Sequence, residues 1–477
     1  MKGLPYSRPC SRCTGLLAAT AMGVYLLLVI GATATVTDAA ATCSTWPICS
    51  DGSTIPISSE SWVVAGHRVV AFLVGLLVFF TGVVALRDRS SRRVLAALGV
   101  AVLLYPAQAL LGVVIATTGP QTTLVTLAGV SLAAATVHLA AGLIIFGGVL
   151  AALTWTLEAK TGIPDDDPAV LPNGPVPIAD PLDVSIQPTI PTWGDDPLRR
   201  MRLTVTAYVR LMKPRLMWLL CLVAVAAMAL AGGPNLTSRV VMATLVGGVL
   251  AIGAAGTFNH VLERETDRRM QRTNDRPLAV DFVSVRNAVL FGLLLTGASL
   301  VLFASVNRLA AILGLTAILF YSVVYTVLLK PNTPHNTVIG GFAGVLPAFI
   351  GWAAVTGTVG FGAIALGLLI FMWTPAHFYN LALAYKEDYE RGGFPMMPVV
   401  RGETTTRRHI VWYLAATLAV AAAMTALPAL GWLYALTSVG VGAMFLWAVV
   451  RLHYQQTTDA AFRAFHTSNA YLGAVLV

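Results

Sequence analysis

Asn259, Glu263 and Asp267 are spaced four residues apart. At about 100° per residue they share one face of a helix. Two carboxylates and an amide oxygen stacked over about 12 Å of helix make an oxygen-rich site suited to a hard cation such as Mg²⁺, which is usually shared between carboxylates and substrate phosphates. Arg272 and Arg276 follow, and guanidinium groups there can clamp phosphate oxygens. Charged residues at a helix end are commonly just solvated. This motif instead begins inside an apolar run, where polar side chains are expensive and usually functional.

A second polar stretch holds His377, Lys386 and Asp388 and runs on to Pro395-Met-Met-Pro398. Asp388 offers a further magnesium ligand, and Lys386 a point charge for diphosphate. A third stretch contains Tyr325, Lys330, His335, Asn336 and Gly340-Gly341, opening a helix with a polar patch and small residues that permit close packing. Two histidines, His67 and His138, precede the Pro-rich segment near the middle of the chain. They fall at similar depth in separate apolar runs, as axial ligation of a haem iron needs. Cys43 and Cys49 bracket Trp46-Pro47 in a stretch without Lys or Arg, whereas Cys10 and Cys13 have no second pair to complete a zinc site and read as incidental.

The elements that carry these residues are membrane helices. Of 477 residues, 57% are hydrophobic and 11% charged, far below the charge of a soluble domain. Thirteen runs approach the length a membrane helix needs. Four precede the middle of the chain: Leu16–Val36, Val63–Leu86, Val94–Thr117 and Leu127–Trp155. Nine follow: Met217–Ala231, Val240–Phe258, Ala288–Ser305, Ala310–Leu329, Val338–Val355, Phe361–Tyr385, Ile410–Leu427, Leu430–Val450, and a last one from near Ala470 that stops too soon to span, so that the chain reads as cut short. Between the groups, residues 158–200 are rich in Pro and Asp and read as an extended linker. The domains are thus expected at 1–157 and 201–477.

The net charge of +9 belongs to the loops. Alternate loops hold Lys2, Arg8 and Arg12; Arg87 to Arg93; Arg199 to Arg210; Arg264 to Arg286; Lys330; Lys386 to Arg408; and Arg451. The other set holds only Arg239 and Arg308. The positive-inside rule then puts the N-terminus, the linker and the loops carrying the carboxylate motifs in the cytoplasm, with the Cys43–Cys49 loop outside. No basic stripe with interleaved aromatics suggests nucleic acid as a partner.

From Arg210 onward the chain resembles the protohaem IX farnesyltransferases (haem O synthases), a branch of the UbiA-type intramembrane prenyltransferases. The resemblance rests on Lys213-Pro214-Arg215, the block from Asn259 to Arg276 with its Met270-x-Arg272-Thr273 tail, the Leu-Lys330…Asn336-x-Val-Ile-Gly-Gly segment, Gly351-Trp352-Ala-Ala-Val-Thr-Gly357, Pro375-x-His377-Phe378, Asp388-Tyr389 and Pro395-Met-Met-Pro398. It implies an all-α membrane bundle of nine helices. It also implies Mg²⁺ held by Asn259, Glu263, Asp267 and Asp388, with Lys213, Arg272, Arg276, Lys330, Asn336, His377 and Lys386 around farnesyl diphosphate and protohaem. One departure is Glu263, where relatives more often carry Asp. The other readings to weigh are a prenyltransferase for a quinone precursor and a non-catalytic haem carrier or oxidase assembly factor.

The first four helices are similar to one half of haem A synthase. This resemblance rests on Cys43 and Cys49 around Trp46-Pro47, His67-Arg68, Gln108-Ala-Leu-Leu-Gly112, Thr117-x-Gly119 and His138. It implies a four-helix bundle, haem b between His67 and His138, and a Cys43–Cys49 disulfide. Val64 departs from that family's Glu, and Glu60 lies a turn further off. Together the resemblances imply a multi-pass protein of a prokaryotic plasma membrane that supplies terminal oxidases.

Overall fold

The computed structural model describes residues 13–36, 59–127, 130–162 and 197–477. Among the described residues eleven helices are long and apolar enough to cross a membrane. The described residues are all-α apart from one short hairpin. Leu103, Leu294, Phe361 and Trp432 are largely exposed on their outer faces, as a lipid-facing surface allows.

The chain forms two compact units. The first comprises residues 1–162, 408–456 and 466–475, and the second 163–407, 457–465 and 476–477. This division differs from the expected one at residue 201, since the late helices group with the N-terminal ones.

In the first unit, α1 (Cys13–Val36) packs between α2 (Ser59–Arg87) and α4 (Ala134–Thr161), and α3 (Arg92–Thr118) packs on α4. The expected helix from Leu127 begins later. Thr123–Leu127 and Val130–Ala133 form the antiparallel strands β1 and β2, because β-branched Thr and Val favour extended backbone. Later in the sequence, α17 (Trp432–Gln455) packs on α1 and α4. There the buried Tyr25 hydroxyl lies 2.5 Å from Ser438 Oγ, which explains why the late helices join this unit. Cys13, read as incidental, is buried with its Sγ 3.4 Å from Asp88 Oδ2, and Cys10 lies outside the described residues.

In the second unit, α5 (Pro197–Leu211) leads to α6 (Pro214–Ala231), α7 (Ser238–Leu262) and the single turn α8 (Arg264–Asp267). Next come α9 (Val285–Val306) and α10 (Arg308–Leu319), which continues as a π-helix over Phe320–Leu329. The core is Ala251, Ala254, Leu295, Phe303, Ala310, Ile318 and Ile350. Small residues allow the close approach: Gly351 lies so near the Ala224 carbonyl that an added Cβ would sit 2.3 Å from its oxygen. Then follow α11 (Asn336–Gly340), α12 (Phe342–Thr356), α13 (Phe361–Ala384), α14 (Lys386–Arg391) and α15 (Met397–Val400).

Two further expectations need correction. The linker is helical at both ends, since α4 runs to Thr161 and α5 starts at Pro197; residues 163–196 lie outside the described set. The final helix, α18, spans Thr458–Val475 rather than starting near Ala470. Its early turns carry Asp459, Arg463 and His466, which concealed them from a reading by apolar runs. Before it, α16 covers Glu403–Met424.

Candidate functional site: a carboxylate face met by lysine and arginine

Asn259 sits in the last turn of α7, and the helix breaks at Glu263 (φ −95°, ψ 6°) before α8 resumes. The predicted stack survives the break. Glu263 N–H donates to the Asn259 carbonyl at 2.9 Å, and Asp267 N–H donates to the Glu263 carbonyl at 2.8 Å. All three side chains are buried.

Each meets a cation. Lys213 Nζ donates to Asn259 Oδ1, Lys330 Nζ donates to Glu263 Oε1 at 2.6 Å, and Arg276 donates from one nitrogen to both oxygens of Asp267 at 2.8 Å. Lys213 reaches inward because it occupies the left-handed region (φ 57°) in the turn between α5 and α6. Lys330 follows the π-helix directly, and its N–H reaches five residues back to the Tyr325 carbonyl at 2.9 Å. π-Turns of this kind concentrate at functional sites.

The electrostatics follow from burial and pairing. Burial pushes the Glu263 carboxyl up, but Lys330 and Lys213 outweigh it and hold it below its ordinary value. For Asp267 burial prevails over the opposing Arg276, and the carboxyl is raised. Burial, helped by the positive charge of Arg276, brings Lys213 down to about 7 against the pull of Glu263.

Of the predicted residues, Asn259, Glu263, Asp267, Lys213, Lys330 and Arg276 converge. Arg272 lies beside them with its guanidinium over the rings of Tyr385 (4.9 Å) and Tyr389 (5.6 Å). Asp388 does not join the carboxylate face. Its oxygens accept Gln271 N–H at 2.9 Å, Arg272 N–H at 3.0 Å and an Arg391 guanidinium N–H at 2.6 Å. Those bonds outweigh burial and keep its carboxyl below the usual range.

Three other predicted residues make contacts of their own. Lys386 pairs with Glu403, the first residue of α16, at 3.1 Å, both partly exposed. Asn336 is fully buried and donates to the Thr333 carbonyl at 2.6 Å, so it closes its own turn. His377 is stacked between Trp373 (4.2 Å) and Phe465 (4.4 Å). Among the described residues no three His, Cys, Asp or Glu side chains are grouped to hold a metal.

The sequence reading missed several partners. Thr326 accepts from Asn259 Nδ2 at 2.9 Å, the Tyr321 hydroxyl lies 3.4 Å from Lys213 Nζ, and the Phe394 ring lies 4.3 Å beneath Lys330 Nζ. Thr326 stands four residues before Lys330 in an apolar run, a spacing that marked it as facing the same way.

In the first unit, His67 and His138 are electrostatic neighbours. The Nδ1 atom of each is enclosed without a hydrogen-bond partner, as is Gln108 Oε1. The His67 ring lies against Gly31, where an added Cβ would come within 3.0 Å of it, and the His138 ring against Gly112. Gln108 Nε2 donates to the His138 carbonyl at 2.8 Å. Enclosed imidazoles without partners, walled by glycine, fit a haem. Cys43, Cys49 and the loop between them lie outside the described residues.

The UbiA prenyltransferase family model matches residues 219–472. A protoheme IX farnesyltransferase of Haloquadratum walsbyi is 57% identical over 465 residues, 97% of this chain and 94% of its own. One from Haloarcula marismortui is 58% identical over 473 residues, covering 97% of this chain and 96% of its own. A protoheme IX farnesyltransferase of a Mycobacterium species (strain KMS) is 41% identical over 280 residues, 58% of this chain but 90% of its own. With the family model covering more than half of its residues and such relatives covering nearly all of them, the chain belongs to the UbiA prenyltransferase family.

Proposed function

We propose that this membrane prenyltransferase moves a farnesyl group from farnesyl diphosphate to a vinyl group of protohaem IX, making haem O. The observation that carries the reading is the buried Asn259, Glu263 and Asp267 face met by Lys213, Lys330 and Arg276. Near-full-length likeness to relatives named protoheme IX farnesyltransferase supports the choice of acceptor.

Buried hard oxygens with cationic neighbours fit Mg²⁺ and a diphosphate together. Asn259, Glu263 and Asp267 would hold the ion, which when bound supplies positive charge to the leaving group. Lys213, Lys330 and Arg276 exchange their carboxylate and amide partners for diphosphate oxygens, and Arg272, steadied on Tyr385 and Tyr389, adds a further donor. The C1–O bond breaks and its electron pair leaves with the diphosphate. The haem vinyl group then forms the C–C bond to C1. Water adds to the resulting cation and loses a proton, giving a hydroxyethylfarnesyl side chain. Once they have turned to the diphosphate on binding, these buried donors stabilise the charge that develops as the C1–O bond breaks.

For the N-terminal region, residues 1–157, the proposal is a haem b site with His67 and His138 as axial ligands. The unpartnered imidazoles and the Mycobacterium relative, which covers only 58% of this chain, support treating it as a module added to residues 201–477 through the segment 158–200. A Cys43–Cys49 disulfide on the outer side, cytoplasmic motif loops, a plasma membrane location and delivery of the product to terminal oxidases complete the proposal. Purified protein given farnesyl diphosphate with either protohaem or 4-hydroxybenzoate tests the acceptor. Prenylation of haem is expected, and prenylation of the benzoate alone would contradict it.

A further inference from the structure

The helix α5 has two apolar faces, and only one is used. Ala207 and Leu211 are buried, and both pack with Leu278, Val283 and Ala288. At about 100° per residue the opposite side of the helix carries Leu198, Met201, Val205 and Val209. These are 71%, 61%, 57% and 46% exposed. A helix with one apolar face on the protein and another facing outward would be an aggregation hazard in water.

The flank of this stripe is basic. Arg202, Arg199 and Arg210 follow one another around the helix beside it, and the first turn holds no acidic residue. Arg210 reaches Asp275 at 2.7 Å, an exposed pair. Two residues beyond α5, after the left-handed turn at Lys213, the apolar helix α6 begins with Leu216 and Trp218 exposed at 48% and 55%. Tryptophan at the start of a membrane helix marks the level of the lipid headgroups. The exposed stripe therefore ends at Val209, five residues before α6 enters the bilayer, with its arginines on the same short helix.

We propose that α5 is an interfacial helix. Leu198, Met201, Val205 and Val209 lie in the acyl-chain boundary of the bilayer, while Arg199 and Arg202 bind anionic headgroups beside them. Such helices combine buried apolar area with attraction to acidic lipid. The Lys213 turn joins α5 to the carboxylate site, so the same contact fixes the segment that presents Lys213 to Asn259.

The test uses the full-length chain in phosphatidylcholine vesicles containing phosphatidylglycerol. A photoactivatable acyl chain is placed on one lipid or the other, and adducts are mapped by mass spectrometry. Adducts are expected at Leu198, Met201, Val205 or Val209. The anionic probe should give at least roughly fivefold more, the effect of a single arginine near an acidic surface, with two arginines present. In the double variant R199Q/R202Q the preference should disappear while labelling by the choline lipid persists. Absence of adducts in 197–211 while 214–231 is labelled would overturn the interfacial placement, as would chain-to-chain crosslinks through the same residues, which would mean a second copy covers the stripe. Equal labelling by both probes would overturn the role given to the arginines.

Discussion

Lys330 and Glu263 form a 2.6 Å ion pair with both side chains almost fully buried, joining the end of the π-helix to the end of α7. Removing one partner of such a pair strands the other charge and costs about 3–5 kcal/mol. Lys330→Ala is expected to lower the thermal midpoint and abolish transfer. Adding Glu263→Gln should recover stability but not activity. A double-mutant cycle by thermal unfolding measures this, and additive losses would contradict the pairing.

Lys213 predicts the pH profile. Its ammonium, brought down to about 7 chiefly by burial, loses its proton in the free enzyme as pH rises through that value. If protonated Lys213 binds diphosphate, kcat/KM falls above about pH 7, and Lys213→Arg removes that limb because arginine stays charged. The stability effect has the opposite sense. Between about 7 and the ordinary lysine range the unfolded chain holds the extra proton, so Lys213 makes stability rise with pH across that window. Measured kcat/KM and unfolding curves from pH 6 to 9 check both signs.

Asp388 anchors the backbone at Gln271 and Arg272. Asp388→Asn is therefore expected to raise KM for the diphosphate about tenfold, the usual scale for one lost charge-assisted contact, while the Mg²⁺ concentration giving half-maximal rate stays unchanged. A shift in that magnesium dependence would return Asp388 to the metal. Because its folded carboxyl is held low, the stability it adds is present above the ordinary carboxylate range and is lost on acidification through the folded value.

His67→Ala and His138→Ala are expected to remove haem absorbance from the N-terminal module while leaving farnesyl transfer intact. Absorption spectra and haem content of the purified protein measure the first effect, and product formation the second. Full haem retention in both variants would contradict axial ligation.

The membrane helices and the Asn259, Glu263 and Asp267 stack were legible because both depend on local periodicity, and burial in lipid makes that periodicity strict. Lys213, Lys330 and Arg276 were found by residue type and motif, though not their pairing with particular carboxylates. What stayed hidden depends on contacts distant in sequence. Nothing near Asp388 reveals that Gln271 and Arg272, more than a hundred residues earlier, donate to it, and nothing near Lys386 reveals its pairing with Glu403. The β1–β2 hairpin was hidden because its threonines, valines and leucines count as apolar whether the backbone is helical or extended. The start of α18 was missed for the opposite reason: its polar residues mask a helix that is fully formed.

Departure of diphosphate depends, on the proposed mechanism, on the carboxylate face. The most direct measurement follows diphosphate release and haem O formation together in purified protein, comparing wild type with Asp267→Asn, with and without Mg²⁺. Equimolar diphosphate and haem O are predicted for wild type with Mg²⁺, with neither formed in the variant nor after chelation. Undiminished transfer by Asp267→Asn, or transfer that ignores chelation, would contradict the account.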